Sequence, residues 1–244
     1  MTVAVVTGAG SGIGKRVAEL LAAAGHNVVG WDIQGTETHC DITDPAAVDD
    51  AMTTAVAEHG APSRVVACAG VGSAGMLVDT TVEDWNRVIA INLTGTWLTL
   101  RAAARAMITA GIQGSMVAVS SISGTVVDRS MGAYCASKAA VDMLVKVAAT
   151  EWGVHGIRVN AVGPGVTRTP MLARPEDLPG WGEGMTERTP LGRLGEADDV
   201  ARAVLGVLEL PWVTGQIVHA DGGLALHSPI DSYGSVQRLK HRAR

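Results

Sequence analysis

Apolar residues along the chain switch repeatedly between two spacings. Val3 to Val6 is a short, mostly β-branched run closing at Thr7-Gly8, and just past the glycines Ile13, Val17, Leu20 and Leu21 recur at helical intervals. Gly25 ends that helix, and Asn27 to Trp31 forms a second apolar run ending at Asp32, so the chain opens as strand, loop, helix, strand. The rhythm predicts further helices over Ala46 to Glu58, Val82 to Ala110, Ala133 to Gly153 and Ala197 to Leu208. Between them it predicts strands at Val65 to Ala67, Ser115 to Ser120, Ile157 to Ala161 and Gln216 to His219. Parallel strands need crossover connections, so this alternation predicts an α/β fold: a doubly wound parallel sheet with helices on both faces, one domain over 1–244.

One segment interrupts the rhythm. Arg168 to Gly195 holds Pro170, Pro175, Pro179, Pro190 and five glycines, with Met171, Leu172, Trp181 and Met185 among them. Long irregular segments bearing large apolar side chains are read as binding loops, here a substrate lid over 168–195. Residues 228–244 end in the basic cluster RLKHRAR, read as a solvated tail.

With 47% apolar residues the chain can bury one large core, built from Val, Ala, Leu and Ile because Phe is absent. A net charge of -5 leaves no positive field for a polyphosphate backbone, so no nucleic-acid partner is expected. Cys40, Cys68 and Cys135 are odd in number and widely spaced, which fits neither a disulfide framework nor a zinc site and points to a reducing compartment. MTVAVVTGAG has no basic leader and no apolar run long enough for secretion or a membrane span, so a cytoplasmic protein without a membrane partner is expected. The seven histidines are dispersed, with no i, i+4 pair, and no metal is expected.

Candidate chemistry starts at the first loop. Gly8, Gly12 and Gly14, with Ser11 and Ile13 between them, lie where backbone N–H groups and a helix N-terminus can bind a pyrophosphate. The GxGxxG dinucleotide pattern fails, because Ile13 stands three after Gly10; the spacing present is TGxxxGxG, and a purely structural turn is its alternative. Asp32 ends the second strand, 18 residues after Gly14, where a carboxylate can accept hydrogen bonds from both hydroxyls of an adenosine ribose. Ile33, Gln34 and Gly35 follow with no cation to offset a 2'-phosphate, so NAD is expected rather than NADP; a capping or solvated Asp32 is the alternative. Tyr134 and Lys138 are four apart in a helical stretch and share one face. A phenol of pKa about 10 needs a nearby positive charge to exchange protons near neutrality, which an ammonium one turn away can provide.

Ser121 lies 13 residues before Tyr134, at the end of a predicted strand, and Asn92 lies in the long helix before it. With these companions the chain resembles the short-chain dehydrogenase/reductase family over essentially its whole length. The matches run in order through Thr7 to Gly14, Asp41-Ile42, Cys68-Ala69-Gly70, Asn92, Ser121, Tyr134, Lys138 and Pro164-Gly165-Val166-Thr167, then Thr169. The resemblance implies a Rossmann-type fold, an oxidoreductase acting on CH–OH groups, and NAD as hydride carrier. It further implies that Asp41-Ile42 contact adenine, that Cys68 to Gly70 stabilise the sheet beside the cofactor, and that Pro164 to Thr169 border the nicotinamide. Ser121 would bind the substrate oxygen, and Tyr134 would exchange the alcohol proton. Lys138 would lower the Tyr134 pKa and hold the nicotinamide ribose, while Asn92 would bind a water linking Lys138 to solvent. Cys68 stands where the family usually has Asn, which touches a sheet-supporting hydrogen bond and not the chemistry; a redox-sensitive thiol is the alternative to a buried, inert one.

Ile122, Ser123, Val126 and Val127, the stretch Cys68 to Ala74 and the Met171 to Met185 lid would line a mostly apolar pocket. That lining suits a hydrophobic secondary alcohol or ketone, such as a steroid, terpenoid or alicyclic compound. The short link from Asp32 to Asp41 and the Ala-Cys-Ala-Gly run resemble bacterial 3α-hydroxysteroid dehydrogenases. The alternatives are a 3-oxoacyl thioester reductase and a non-catalytic NAD-binding sensor. Family members commonly pair through the two long helices, which implies a homo-oligomer, with a tetramer favoured and a dimer as the alternative.

Overall fold

The computed structural model describes residues 2–172 and 180–226. In chain order the first half comprises β1 (Val3–Thr7), α1 (Gly12–Ala23), β2 (Asn27–Asp32), β3 (Thr38–His39), α2 (Pro45–His59), β4 (Arg64–Ala67), α3 (Val82–Ile89), a π-helical segment (Ala90–Gly95) and α4 (Thr96–Ala110). It continues with β5 (Gly114–Val119), α5 (Gly132–Trp152), β6 (Ile157–Pro164), β7 (Thr167–Arg168), α6 (Trp181–Arg188), β8 (Gly195–Glu196), α7 (Ala197–Glu209) and β9 (Ile217–Ala220).

Seven strands form one parallel sheet in the order β3-β2-β1-β4-β5-β6-β9. The strand order reverses between β1 and β4. At such a switch point the crossovers leave to opposite faces and open a crevice beyond the strands' C-terminal ends.

The alternation of strand side chains divides the core in two. Val5, Val65, Ala67, Met116 and Ala118 point to the layer of α2, α4 and α5, while Ala4, Val6, Val66, Val117 and Val119 point to α1 and α7. Both faces of the central strands are therefore covered, which is why they read as unbroken apolar runs. Helix starts are set locally. The Asp44 carboxylate accepts from the Ala46 amide at 2.9 Å with Pro45 following it, and Glu196 and Asp199 form a reciprocal capping box on α7.

Two expectations need correction. The single helix expected over Val82 to Ala110 is interrupted at Ala90–Gly95, because one wider turn lets Asn92 reach inward. The segment expected to be an irregular lid is partly regular: β7 and β8 pair in a short ladder, and α6 lies between them. Residues 173–179, in the middle of that lid, and the expected 228–244 tail lie outside the described residues. No helix among the described residues is long and apolar enough to cross a membrane.

Candidate active site

Beyond the C-terminal ends of β1, β2 and β4, three loops close on one another. Gly8 has φ +70°, a left-handed conformation, and a Cβ on it would lie 2.8 Å from the Ala69 amide nitrogen. A Cβ on Gly14 would lie 2.2 Å from the Gly8 carbonyl oxygen, so the turn can coil tightly into α1 only without side chains there. Ser11 precedes the first turn of α1 and makes no side-chain cap, which leaves that turn's amides for another acceptor. Where α1 begins, a Cβ on Gly12 would meet the Thr169 side chain at 3.5 Å, so the Thr167–Thr169 stretch lies against the glycine turn.

Asp32 ties this turn to the β2 exit. Its Oδ2 accepts from the Gly10 amide at 3.0 Å and its Oδ1 from the Gln34 amide at 3.1 Å. Each oxygen keeps a further lone pair for a hydroxyl donor. Asp32 lines an open cleft of ≈ 420 Å³ with Gly10, Ser11, Ile33, Gln34 and Gly35. Asp41 turns its Oδ1 to the Thr43 amide and hydroxyl, at 2.9 and 2.8 Å. Ile42 is buried and packs toward Gly95, so its side chain belongs to the core.

The β4 exit is fastened by Thr7, which the sequence placed only at the head of the glycine motif. The buried Thr7 Oγ1 accepts from the Cys68 and Ala69 amides at 3.1 and 3.2 Å. A lone hydroxyl closing an apolar strand was its signal. Burial pushes the Cys68 thiol up to about 12, so it stays a neutral thiol at neutral pH.

The π-helical segment turns Asn92 fully inward. Its Oδ1 accepts from the Val71 amide at 2.8 Å, while its Nδ2 donates to the Val71 carbonyl at 2.9 Å and to Ser137 Oγ at 3.1 Å. The Ser137 hydroxyl donates in turn to the Tyr134 carbonyl at 2.7 Å. The Asn92 side chain thus pins the loop after β4 to the second turn of α5. Ser137 could have been suspected from its place between Tyr134 and Lys138 on the same helix.

Ser121, Tyr134 and Lys138 converge. Ser121 follows β5, is 7% exposed, and accepts from the Ser123 amide at 3.1 Å, which fixes its hydroxyl at the head of a 3₁₀ turn. Lys138 is buried and donates to the Val119 carbonyl at 2.8 Å, with its ammonium 5.6 Å from the centre of the Tyr134 ring. Burial pushes the Lys138 amine down to about 8, against smaller upward pulls from Cys68 and Asp142. Burial also holds the Tyr134 phenol above its usual value, and the Ser121 side chain pulls the other way. The lowering of the Tyr134 pKa expected from Lys138 is thus not found here. The amine is bound to a strand carbonyl, and desolvation is the largest influence on the phenol.

Past Ser121, Ile122 is buried and Ser123 partly so, while Val126 and Val127 are exposed. The loop after β4 is held against the start of α5, the Ser73 hydroxyl accepting from the Tyr134 amide at 3.3 Å. On the far side β6 ends at Pro164, in register with Ala220, and the Gly165 carbonyl accepts from the Thr167 hydroxyl at 3.0 Å. The Val166 carbonyl accepts from the Gly195 amide at 2.9 Å, joining this border to β8.

A glycine turn with free amides, an anchored carboxylate in a cleft beside it, and a phenol, amine and serine hydroxyl at the same sheet end fit a dinucleotide and the alcohol it oxidises. The class this defines is a nicotinamide-dependent oxidoreductase. Comparison with known proteins narrows it. A family model described as enoyl-(acyl carrier protein) reductase matches residues 8–225. Rat (3R)-3-hydroxyacyl-CoA dehydrogenase is 37% identical over 249 residues, 91% of this chain and 95% of that protein. The 2,5-dichloro-2,5-cyclohexadiene-1,4-diol dehydrogenase of Sphingobium indicum is 36% identical, covering 90% of this chain and 95% of its own. The crystal structure of a short-chain type dehydrogenase/reductase from Mycobacterium marinum is similar with a TM-score of 0.86 at 32% identity, over 91% of this chain and 95% of that one. The chain belongs to the short-chain dehydrogenase/reductase family, oxidoreductases of CH–OH groups that use a nicotinamide cofactor.

Proposed function

We propose that the protein is an NAD-dependent dehydrogenase interconverting a hydrophobic secondary alcohol and its ketone, with Tyr134 as the acid/base. The observation that carries this reading is the meeting of Ser121, Tyr134 and Lys138 beside the glycine turn. When bound, the nicotinamide accepts or delivers the hydride. The pyrophosphate would rest on the amides of Gly8 and Ser11 to Gly14, and the adenosine ribose on Asp32, with Ile33, Asp41 and Ile42 along the adenine. Cys68 to Gly70 and Pro164 to Thr169 would flank the nicotinamide. The Asp32 carboxylate favours ribose hydroxyls and repels a 2'-phosphate, which supports NAD.

Ser121 holds the substrate oxygen, and Tyr134 takes its proton in oxidation or returns it in reduction. An ammonium at Lys138 stabilises the phenolate as it forms. Asn92 holds the loop and helix that frame the amine, and a water at its backbone would carry protons from Lys138 to solvent. The exposed Val126 and Val127 on the stretch after Ser121, and the exposed Met171 after β7, support a hydrophobic substrate. A thioester of a 3-hydroxy or 3-oxo acid is the second reading, favoured by the rat relative. Exposed Trp97, Ile108, Met143 and Val147 on α4 and α5 support self-association, with a tetramer as the proposed form. Three free cysteines suit a reducing, cytoplasmic setting.

The test is NADH formation from cyclic, steroidal and 3-hydroxyacyl-thioester alcohols, for wild type and Tyr134→Phe. A fall in turnover of about 10²–10⁴-fold in the variant, with NADH affinity retained, is expected. Equal rates would dismiss the mechanism, and NADH binding without turnover in either protein would leave a sensor. Asp32→Ala should weaken NAD binding and narrow the preference over NADP.

A further inference from the structure

One buried ionisable group has no part in the chemistry above. Asp142 is 6% exposed on α5, one helical turn beyond Lys138 on the same side. Neither carboxylate oxygen is within hydrogen-bond distance of a partner among the described residues, although both are shut off from the surface and the Ser120 hydroxyl is close enough to favour their charge. The group is pressed against the turn after Ser121: a Cβ on Gly124 would stand 2.5 Å from Asp142 Oδ2 and 3.2 Å from the Lys138 carbonyl oxygen. The nearby Ser120 hydroxyl turns to the Lys138 carbonyl at 3.4 Å. The charged and titratable groups facing Asp142 are Lys138 and Lys146 on its own helix and His219 on β9. The turn Ile122–Gly124 brings none. A buried carboxyl without a partner calls for an explanation, because desolvating it is costly.

The need lies at Lys138. The mechanism requires an ammonium there, yet burial opposes the charge and the amine's hydrogen bond goes to a neutral carbonyl. Lys138 is in no salt bridge among the described residues. The titratable groups facing it are Tyr134 and Asp142 on α5 and Cys68 after β4, and the thiol is neutral at neutral pH. Among the described residues Asp142 is the one carboxylate so placed. We infer that Asp142 is a positioning residue that acts on Tyr134 through Lys138, as the through-space counter-charge that keeps the amine an ammonium. This rests on the Tyr134 mechanism proposed above. With both groups buried, their interaction is weakly screened, so no direct ion pair is needed. Burial holds the Asp142 carboxyl above its usual value, while the Ser120 hydroxyl, His219, Lys146 and Lys138 pull it back toward ionisation, and Gly124 leaves the room it occupies.

The test reads Lys138 itself in the cofactor-free protein, through the pH dependence of its acylation followed by mass spectrometry, in wild type, Asp142→Asn and Tyr134→Phe. Asp142→Asn keeps the shape and removes the charge, so the Lys138 midpoint should fall by roughly half a unit to one unit. The alkaline limb of alcohol oxidation should move down with it. A purely structural role would lower turnover or thermal stability and leave the midpoint in place. An unmoved midpoint in folded Asp142→Asn overturns the inference, even where Tyr134→Phe has lost turnover as expected. Should Tyr134→Phe stay active, the acid/base reading fails, and the Lys138 midpoint still decides the counter-charge. A second measurement needs no variant: the ¹³C carboxyl resonance of Asp142 in wild type must be that of a carboxylate at pH 8, and a protonated carboxyl there overturns the inference.

Discussion

The two helical layers on this sheet bury surfaces of opposite character. α1 and α7 bury Val17, Leu21, Val200, Ala201, Val204, Val207 and Leu208 and not one polar side chain. Across the sheet, the π-helical segment, α4 and α5 bury Asn92, Thr96, Thr99, Ser137, Lys138 and Asp142 among their apolar residues. One layer is close to pure packing. The other accepts desolvated polar groups, most of them hydrogen-bonded to backbone, and carries the residues proposed for the site. The fold can tolerate this since the polar groups gather on one face of helices whose other contacts are apolar, with an uninterrupted core behind the sheet.

Leu21→Ala should sharpen the contrast most. Leu21 is 2% exposed between α1 and the sheet, and its truncation should cost about 2–5 kcal/mol in denaturant unfolding. Activity of the remaining folded protein should be nearly unchanged. A loss below about 1 kcal/mol would mean that this layer is less tightly packed than its burial implies.

Lys138→Met should have the opposite sign. Removing a buried amine held down to about 8 from 10.5 ends the cost of burying its charge, offset in part by the orphaned Val119 carbonyl. A net gain of about 1–2 kcal/mol at pH 7 is expected, together with loss of turnover. The sign follows from linkage: the folded chain releases this proton near pH 8 and the unfolded chain near 10.5, so wild type binds fewer protons when folded between them. Its stability relative to Lys138→Met should therefore rise from about pH 8 to pH 10. A flat difference over that range would break the comparison.

The smallest effect belongs to the apolar layer's own polar rim. Asp199 accepts from the Glu196 amide at 2.8 Å and pairs with Arg193 at 2.6 Å, which holds its carboxyl down to about 2. Asp199→Ala should cost about 1 kcal/mol through the lost cap, since the ion pair is exposed. A carboxyl lowered on folding stabilises above its unfolded pKa, so the difference between wild type and variant should shrink as the pH falls from about 4 toward 2. Thermal melts across that range would show it.

Much of this was legible in the chain itself. The strands could be read because a parallel strand covered on both faces is an unbroken apolar run, as at Val3–Val6 and Val65–Ala67. The glycine turn and Asp32 follow from their places at strand ends, and Tyr134 and Lys138 share a side because helical geometry leaves no choice at four residues' spacing. These are short-range facts, set by neighbours in sequence.

What only the tertiary structure decided depends on partners far along the chain. The extra residue in the helical turn at Ala90–Gly95 leaves no periodic trace, since one wider turn is lost within the 3.6-residue repeat. That Asn92 joins Val71 to Ser137, that Lys138 donates to the Val119 carbonyl, and that Asp142 lies against Gly124 each needed the sheet order and the packing of α5 across it. Sequence spacing places a side chain on a face; burial and the neighbour it meets there set its protonation.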